Sequence, residues 1–451
     1  MKKSCVDQEY FFRLAEKTLV GVSPAECVSL DLIAEESTFL RFNSGKVRQA
    51  GEVEDALLRI RYVDFSKGDS SGRAAQMEFT LSALLDEDVG EAKRALSLLR
   101  EEVKSLPVDP FAQRLPGPKE SCLEATMVLP AAPEAVEQIS RSARGLEFTG
   151  IFSAAKMKRG LVNSAGAKHW YAKQNFLLDY SLHGEGEKAL KGYFSRNVWS
   201  EKGLSEEFDR ARENFSLLQA PPLTIPRGAH RTYLAPAATA EILDKISTAA
   251  SEMEIRQGDS PLRRLRSGEV SLSKKFSLWE DFSAGDAPRF DSMGGLSPEK
   301  ICLVAEGKLK ETLISPRTAK EFGLSSNGAS QSESASCPRM LPGNLAQDQA
   351  VKALGEGLYL SNLHYLNWSD QPEGRITGMT RYACFWVEDG RLKAPIQNLR
   401  WDDSVFRLFG SELEELTDTP HGFPNTSSYE FRGLGAISCP GMLLKSMQFT
   451  L

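Results

Sequence analysis

The sequence predicts an α+β protein with two domains, each built from a largely antiparallel sheet and several helices. Apolar residues that alternate between turn sequences predict strands, most clearly over residues 357–368 and 375–387. Apolar residues at helical spacing predict helices that lie apart from these strands, as over residues 7–19. A chain of 451 residues exceeds the roughly 250–300 that one hydrophobic core usually covers, so two domains are expected.

The first half of the chain alternates between strand and helix patterns. A turn at residues 43–46 predicts a hairpin that opens an antiparallel meander, and a turn at residues 164–166 predicts a second hairpin. Acidic residues at 86–88 suit the positive end of a helix dipole, and therefore a helix is expected to begin there. The predicted strands cover residues 28–42, 55–63, 73–81, 150–163 and 168–183, and the predicted helices cover residues 7–19, 86–106, 131–144 and 206–218.

The best candidate for a domain boundary is a proline-rich segment over residues 220–228. Proline restricts the backbone and removes a hydrogen-bond donor, which suits a linker. We therefore predict an N-terminal α+β domain over residues 1–222 and a C-terminal β-rich domain over residues 223–451. Within the second domain we expect a helix over 237–250, a basic loop over 256–275, a mobile low-complexity segment over 325–336 and a β-meander over 358–397.

The composition is that of an ordinary globular protein, with 41% hydrophobic and 26% charged residues. A net charge of −6 argues against a dedicated nucleic-acid-binding protein, which would normally be basic. No apolar run is long enough to span a bilayer, and the N-terminus shows no secretory signal. The seven cysteines are scattered without a CxxC pair, which favours reduced thiols. We therefore expect a cytoplasmic protein that binds neither nucleic acid nor membrane.

The sequence can be searched for two catalytic motifs, the G-x-S-x-G motif of serine hydrolases and the H-E-x-x-H motif of zinc hydrolases. Residues 68–72 match G-x-S-x-G with Ser70 at its centre, but the segment lies between two predicted strands, so we interpret it as a hairpin turn. A zinc hydrolase of the H-E-x-x-H class needs two histidines one helical turn apart. The five histidines are too far apart in sequence for such a pair. The residues by themselves therefore predict a two-domain α+β protein without a recognisable catalytic constellation.

Several segments, taken in order, resemble the TldD/TldE (PmbA) family of peptidase-related proteins. The segment ESTFLRFNSGKV is similar to the family's E-S-x-x-x-R-x-x-N-G-K hairpin, and GLYLSNLHY followed by GMTR is similar to its G-L-Y-V-x-x-L-H-Y … G-x-x-R meander. Met293 replaces the acid of the family's F-D-x-E-G segment. The matching segments lie at residues 36–47, 161–166, 290–295, 307–319, 357–365, 378–381 and 439–444.

The resemblance also indicates a branch of the family. The TldD branch carries H-E-x-x-x-H on a helix at the start of its C-terminal domain, together with a cysteine ligand near the C-terminus. The corresponding segment here, residues 233–246, offers Glu241 but no histidine, and we do not assign the ligand role to Cys439. The chain therefore resembles the TldE (PmbA) branch, for which no metal and no catalytic residue are expected in the chain itself.

This resemblance implies a subunit of a metallopeptidase complex that cleaves unfolded peptides, with zinc in a TldD-like partner. The family's "modulator of DNA gyrase" label does not require contact with DNA. Two alternatives stay open, a stand-alone homodimeric peptide-binding or scaffold protein and an independent hydrolase that uses Ser70. The candidate peptide-binding residues are His364, Tyr365 and Arg381. Because His364 and Tyr365 are adjacent in a predicted strand, we expect them to point to opposite faces of the sheet.

Overall fold

The computed structural model describes residues 6–66, 71–186 and 188–450, and it confirms the α+β class. Within this part of the chain, the N-terminal half forms four helices and one seven-stranded sheet. The helices are α1 (Gln8–Leu19), α2 (Leu85–Glu102), α3 (Ala132–Ser142) and α4 (Glu201–Leu217). The strands are β1 (Glu26–Asn43), β2 (Lys46–Asp64), β3 (Arg73–Thr80), β4 (Glu120–Ala125), β5 (Glu147–Asn163), β6 (Lys168–His183) and β7 (Ala189–Phe194).

The N-terminal sheet has the strand order β3-β2-β1-β5-β6-β4. All its pairs are antiparallel except β4 with β6, so the predicted meander and the second hairpin are confirmed. Two strands pair with the outer edge of β6. β4 pairs with residues 168–173, and β7 pairs with residues 178–183. This arrangement leaves β7 at the end of the sheet that approaches the C-terminal half.

Helix α1 shows how local sequence places an element. The Asp7 side chain accepts a hydrogen bond from the Tyr10 backbone N–H at 2.9 Å and so caps the first turn. One stripe of the helix, which includes Phe11 and Leu14, is fully buried against the sheet. The capping residue and the apolar stripe are both visible in the sequence, and this helix was predicted within one residue at its start.

Ser70 lies outside the described residues, as do its neighbours 67–69. The flanking strands β2 and β3 pair antiparallel, with Asp64 opposite Arg73. Two antiparallel strands flank this segment, whereas a G-x-S-x-G nucleophile requires a strand followed by a helix; the hairpin turn itself stays a prediction.

The C-terminal half forms five short helices and thirteen strands among the described residues. The helices are α5 (Pro236–Thr248), α6 (Glu252–Gln257), α7 (Leu262–Ser267), α8 (Pro316–Phe322) and α9 (Ala350–Leu354). The strands are β8 (Gly228–Leu234), β9 (Leu278–Asp281), β10 (Lys300–Ala305), β11 (Lys308–Leu309), β12 (Pro338–Met340), β13 (Gly357–Asp370), β14 (Arg375–Glu388), β15 (Arg391–Pro395), β16 (Arg400–Ser404), β17 (Leu413–Leu416), β18 (His421–Pro424), β19 (Ala436–Cys439) and β20 (Met442–Phe449).

These strands form two sheets. One has the order β11-β10-β9-β12-β19-β18. In the other, β13, β8, β20, β16 and β14 pair in sequence, and β14 pairs again with β13, so five strands close into a ring. β15 adds to β14 and β17 to β20. All five ring strands contribute residues to the largest hydrophobic core cluster among the described residues.

The prediction of an irregular basic loop over residues 256–275 is wrong, because α7 and the end of α6 lie in it. Several of its cations form internal ion pairs. Arg266 contacts the buried carboxylate of Glu252, and Arg264 lies 3.3 Å from Glu269. These arginines therefore stabilise the fold and do not form a patch available to phosphate.

The segment 325–336 is anchored, which corrects the prediction that it is mobile. Glu333 is only 1% exposed. Its carboxylate accepts hydrogen bonds from the Ser251 hydroxyl at 2.7 Å, from the Met253 N–H at 2.9 Å and from the Ser315 N–H at 2.6 Å. It therefore caps the start of α6 and of α8 together, a long-range role that a serine-rich composition does not reveal.

The two halves share hydrophobic and polar contacts. Phe385 of β14 is 1% exposed and belongs to a core cluster formed mainly by β5, β6 and α4. Arg432, which is 3% exposed, donates its backbone N–H to Glu35 at 2.6 Å and its guanidinium to the Asn175 side chain at 3.2 Å. The division between residues 222 and 223 stays a prediction. No helix in the described ranges is both long and apolar enough to cross a bilayer.

Candidate functional site

A cleft of about 880 Å³ lies where the two halves meet. The N-terminal half contributes the end of β6 and the strand β7. The C-terminal half contributes α5, β13, β18, β19 and the serine-rich segment at residues 330–336. The cleft is thus assembled from residues up to about 260 positions apart, and its volume suits a small molecule or several residues of an extended peptide.

Carboxylates from both halves line the cleft together with Lys191 and Lys245. Glu241 and Asp244 come from α5, Asp179 from β6 and Lys191 from β7. Burial raises the pKa of Glu241 to about 7, while the charge of Lys191 and a hydrogen bond from the Leu363 N–H act in the opposite direction. Burial also raises the pKa values of Asp179 and Asp244. Because its pKa lies near 7, the Glu241 carboxyl is partly protonated at neutral pH.

Three strands present unpaired edges beside this cleft. Among the described residues, β7 pairs only with β6, and β18 pairs only with β19. The strand β13 pairs with β8 only over residues 358–360, so its continuation has β14 as its one neighbour. Backbone donors and acceptors along an open edge can bind an extended chain as an added strand. Each of the three sheets therefore offers one edge to the same cleft.

The structure brings the three sequence-predicted site residues together next to the cleft, which their neighbours Asn362 and Leu366 line. An Arg381 guanidinium N–H donates to His364 Nε2 at 3.2 Å, and the rings of His364 and Tyr365 lie 4.3 Å apart. The expectation that His364 and Tyr365 point to opposite faces is wrong. Tyr365 has φ +53°, and the register of β13 with β14 shifts there, so a β-bulge turns its ring towards His364.

Sequence reasoning missed a fourth member of this cluster. Tyr382 of β14 has φ +69° at a second bulge, and its ring lies 6.1 Å from the His364 ring and 5.8 Å from the Arg381 guanidinium carbon. One feature of the sequence points to Tyr382. The family that the chain resembles often has Asp-Gly after this arginine, where this chain has Tyr382 and Ala383. Which way such a side chain turns depends on the bulge, which the sequence does not specify.

The residues of α5 do not fit a zinc site. An H-E-x-x-x-H pattern set on Glu241 needs histidines at positions 240 and 245, where Ala240 and Lys245 stand. Cys439 lies beside the first turn of α5, where its Sγ donates to the Pro236 carbonyl at 3.3 Å, and burial raises the pKa of this thiol. In the described part of the chain, no three His, Cys, Asp or Glu side chains cluster as metal ligands.

Comparisons with known proteins agree with the sequence resemblance. Residues 227–451 match the PmbA/TldA metallopeptidase C-terminal domain. Three solved structures share the fold over 98% of this chain and 98–99% of their own. They are a proposed modulator of a DNA gyrase from Thermotoga maritima (TM-score 0.78, 13% identity), TldE from Thermococcus kodakarensis (0.76, 15%) and a proposed modulator of DNA gyrase from Bacteroides thetaiotaomicron (0.71, 15%). Among curated proteins, none matches the sequence.

The fold and the matched domain together define a metallopeptidase-related α+β protein. More specifically, the chain belongs to the TldD/TldE/PmbA family.

Proposed function

We propose that the chain is a TldE/PmbA-like subunit that joins a TldD-like partner in a cytoplasmic metallopeptidase complex acting on unfolded peptides. The observation that carries the proposal is the set of open strand edges on β7, β13 and β18, which line one cleft beside α5. An unfolded peptide offers its backbone in any sequence, and an open edge binds backbone. The zinc and the attacking water belong to the partner.

In this proposal, the chain's own residues bind and orient the peptide. The outer edge of β13 beyond residue 360 supplies backbone groups, and Glu241 accepts the Leu363 N–H until a peptide carbonyl replaces it. The serine-rich wall at residues 330–336 adds hydroxyl groups without charge. Such a surface favours extended backbone over particular side chains.

The test is a comparison of the purified chain, a TldD-like H-E-x-x-x-H partner and the complex of the two, with fluorescein-labelled casein as unfolded substrate. We expect cleavage by the complex, loss of cleavage with a chelator and no cleavage by this chain alone. Zinc analysis should locate the metal in the partner. A partner whose motif glutamate is changed to glutamine is the control. Proteolysis by the isolated chain that survives chelation would overturn the proposal.

A second candidate is a stand-alone homodimeric peptide-binding protein. It is favoured by the same open strand edges, which can bind an extended peptide without a catalytic partner. Size-exclusion chromatography with light scattering separates the two candidates. A stable homodimer that does not exchange with a TldD-like partner, together with peptide binding, supports the second candidate and contradicts the first.

A further inference from the structure

The cluster next to the cleft contains two strained tyrosines. Tyr365 and Tyr382 have φ values of +53° and +69°, in the left-handed region that favours glycine. A bulky side chain is a conformational outlier there, and the bulge that needs this conformation usually has glycine. Such strain persists where the surrounding structure enforces it, and it concentrates at functional sites. Two strained aromatic residues that contact the same histidine therefore point to a binding role.

The two bulges place two tyrosine rings near the Arg381 guanidinium and the His364 ring. Tyr365 is 78% exposed and packs its ring against His364, while Tyr382 lies beside Arg381. We call His364, Tyr365, Arg381 and Tyr382 the bulge cluster. An exposed tyrosine has only two side-chain torsions and supplies apolar contact area at a small cost in conformational entropy.

Arg381 has donors that no other described residue accepts. One N–H group donates to His364 Nε2. Because arginine can only donate, this histidine nitrogen must be the acceptor, so the ring is neutral in this arrangement. Among the described residues, no carboxylate lies within salt-bridge distance of Arg381, and the remaining edge of its planar fork is free to bind an anion side-on.

The bulge cluster is continuous with the peptide cleft. Ser361, Asn362 and Leu366, which flank His364 and Tyr365 in β13, line the cleft. Burial and the positive charges of Arg381 and Lys191 lower the pKa of His364. Lys191 itself lines the cleft, so the positive field at the bulge cluster comes from both halves of the protein.

We propose that the bulge cluster binds the C-terminal carboxylate of a peptide whose preceding residues lie in the cleft. The free edge of the Arg381 guanidinium holds the two carboxylate oxygens, and the Tyr365 and Tyr382 rings pack against the side chain of the last residue. This assignment rests on the proposed peptide-binding function and adds a ligand class to it, namely peptides with a free carboxyl terminus.

The test measures the binding of two fluorescein-labelled hexapeptides to the purified full chain by fluorescence anisotropy. Both peptides have the sequence Gly-Ser-Gly-Ser-Ala-Phe, and one ends in a free carboxylate while the other ends in a carboxamide. We expect the free carboxylate to bind at least about tenfold more tightly, since hydrogen bonds between charged groups are the strong ones. Arg381→Ala should remove this difference, and Arg381→Lys should keep only part of it because lysine lacks the planar fork.

Two further variants complete the design. Tyr365→Ala should weaken both peptides severalfold and leave the preference for the carboxylate. Arg41→Ala removes an exposed arginine of β1 outside the cleft and should change nothing. Equal affinity for the two peptides, no binding of either, or a preference that survives Arg381→Ala overturns the assignment. Metal-dependent cleavage by the complex is measured separately, so the proposed function can stand when this assignment fails.

Discussion

The partly buried carboxylate of Glu241 leads to a prediction about stability that follows from its place in the cleft. Its pKa rises from 4.5 to about 7 on folding, chiefly because burial disfavours the charged form. The folded protein therefore binds more protons than the unfolded chain between these two pH values. By linkage, the stabilising contribution of the protonated group is fully present below pH 4.5 and is lost as the pH rises through about 7.

The magnitude follows from the size of this shift. Each pKa unit corresponds to about 1.4 kcal/mol, so the charged carboxylate costs at most about 3 kcal/mol at pH 8. The side chain is only partly buried, and we therefore expect about 2 kcal/mol. Glu241→Gln removes the charge and keeps an oxygen that can accept the Leu363 N–H. The variant should be close to wild type at pH 5 and more stable at pH 8 by about 2 kcal/mol.

The assay is urea unfolding of both proteins at pH 5 and pH 8. If the chain unfolds as one unit, the melting temperature at pH 8 should also rise by roughly 2 °C, because a protein of this length has a large unfolding entropy. Glu16→Gln, which changes an exposed carboxylate on α1, is the matched control and should show no pH-dependent difference. A stability difference for Glu241→Gln that is the same at both pH values refutes the reasoning.

Three further predictions concern stability measured by urea unfolding. Phe385→Ala should lower the free energy of unfolding by about 3–5 kcal/mol because it opens a cavity between the two halves. The control Tyr429→Ala changes a side chain that is 86% exposed and should stay within about 0.5 kcal/mol of wild type. Equal effects of the two substitutions would contradict the shared core. Glu333→Ala should cost about 3 kcal/mol because three buried donors lose their acceptor, and a loss below about 1 kcal/mol would contradict the anchoring role. Tyr365→Asn should be more stable than Tyr365→Val by about 1–2 kcal/mol, since asparagine tolerates the left-handed backbone and a β-branched residue does not; equal stability would argue against strain.

Much of the secondary structure was predictable because its causes are local. The apolar stripe and Asp7 cap of α1, and the alternation that marks β13 and β14, lie within a few residues of the elements they specify. The absence of a histidine on α5 is likewise a property of the sequence alone. The errors came where a local pattern was weak. Residues 256–275 form parts of two short helices, and Glu333 orders a serine-rich segment, because distant carboxylates and helix ends complete them.

By itself, the sequence determined the fold class, the family and the lack of an H-E-x-x-x-H pair, since each depends on residue type and short-range spacing. Only the tertiary structure decided where the functional surface lies. Asp179 and Lys191 lie on paired strands of the N-terminal sheet, and they meet Glu241 because α5 of the C-terminal half lines the same cleft. Tyr365 and Tyr382 lie against His364 because each sits at a β-bulge in the pairing of β13 with β14. The bulges impose a left-handed backbone conformation that tyrosine disfavours.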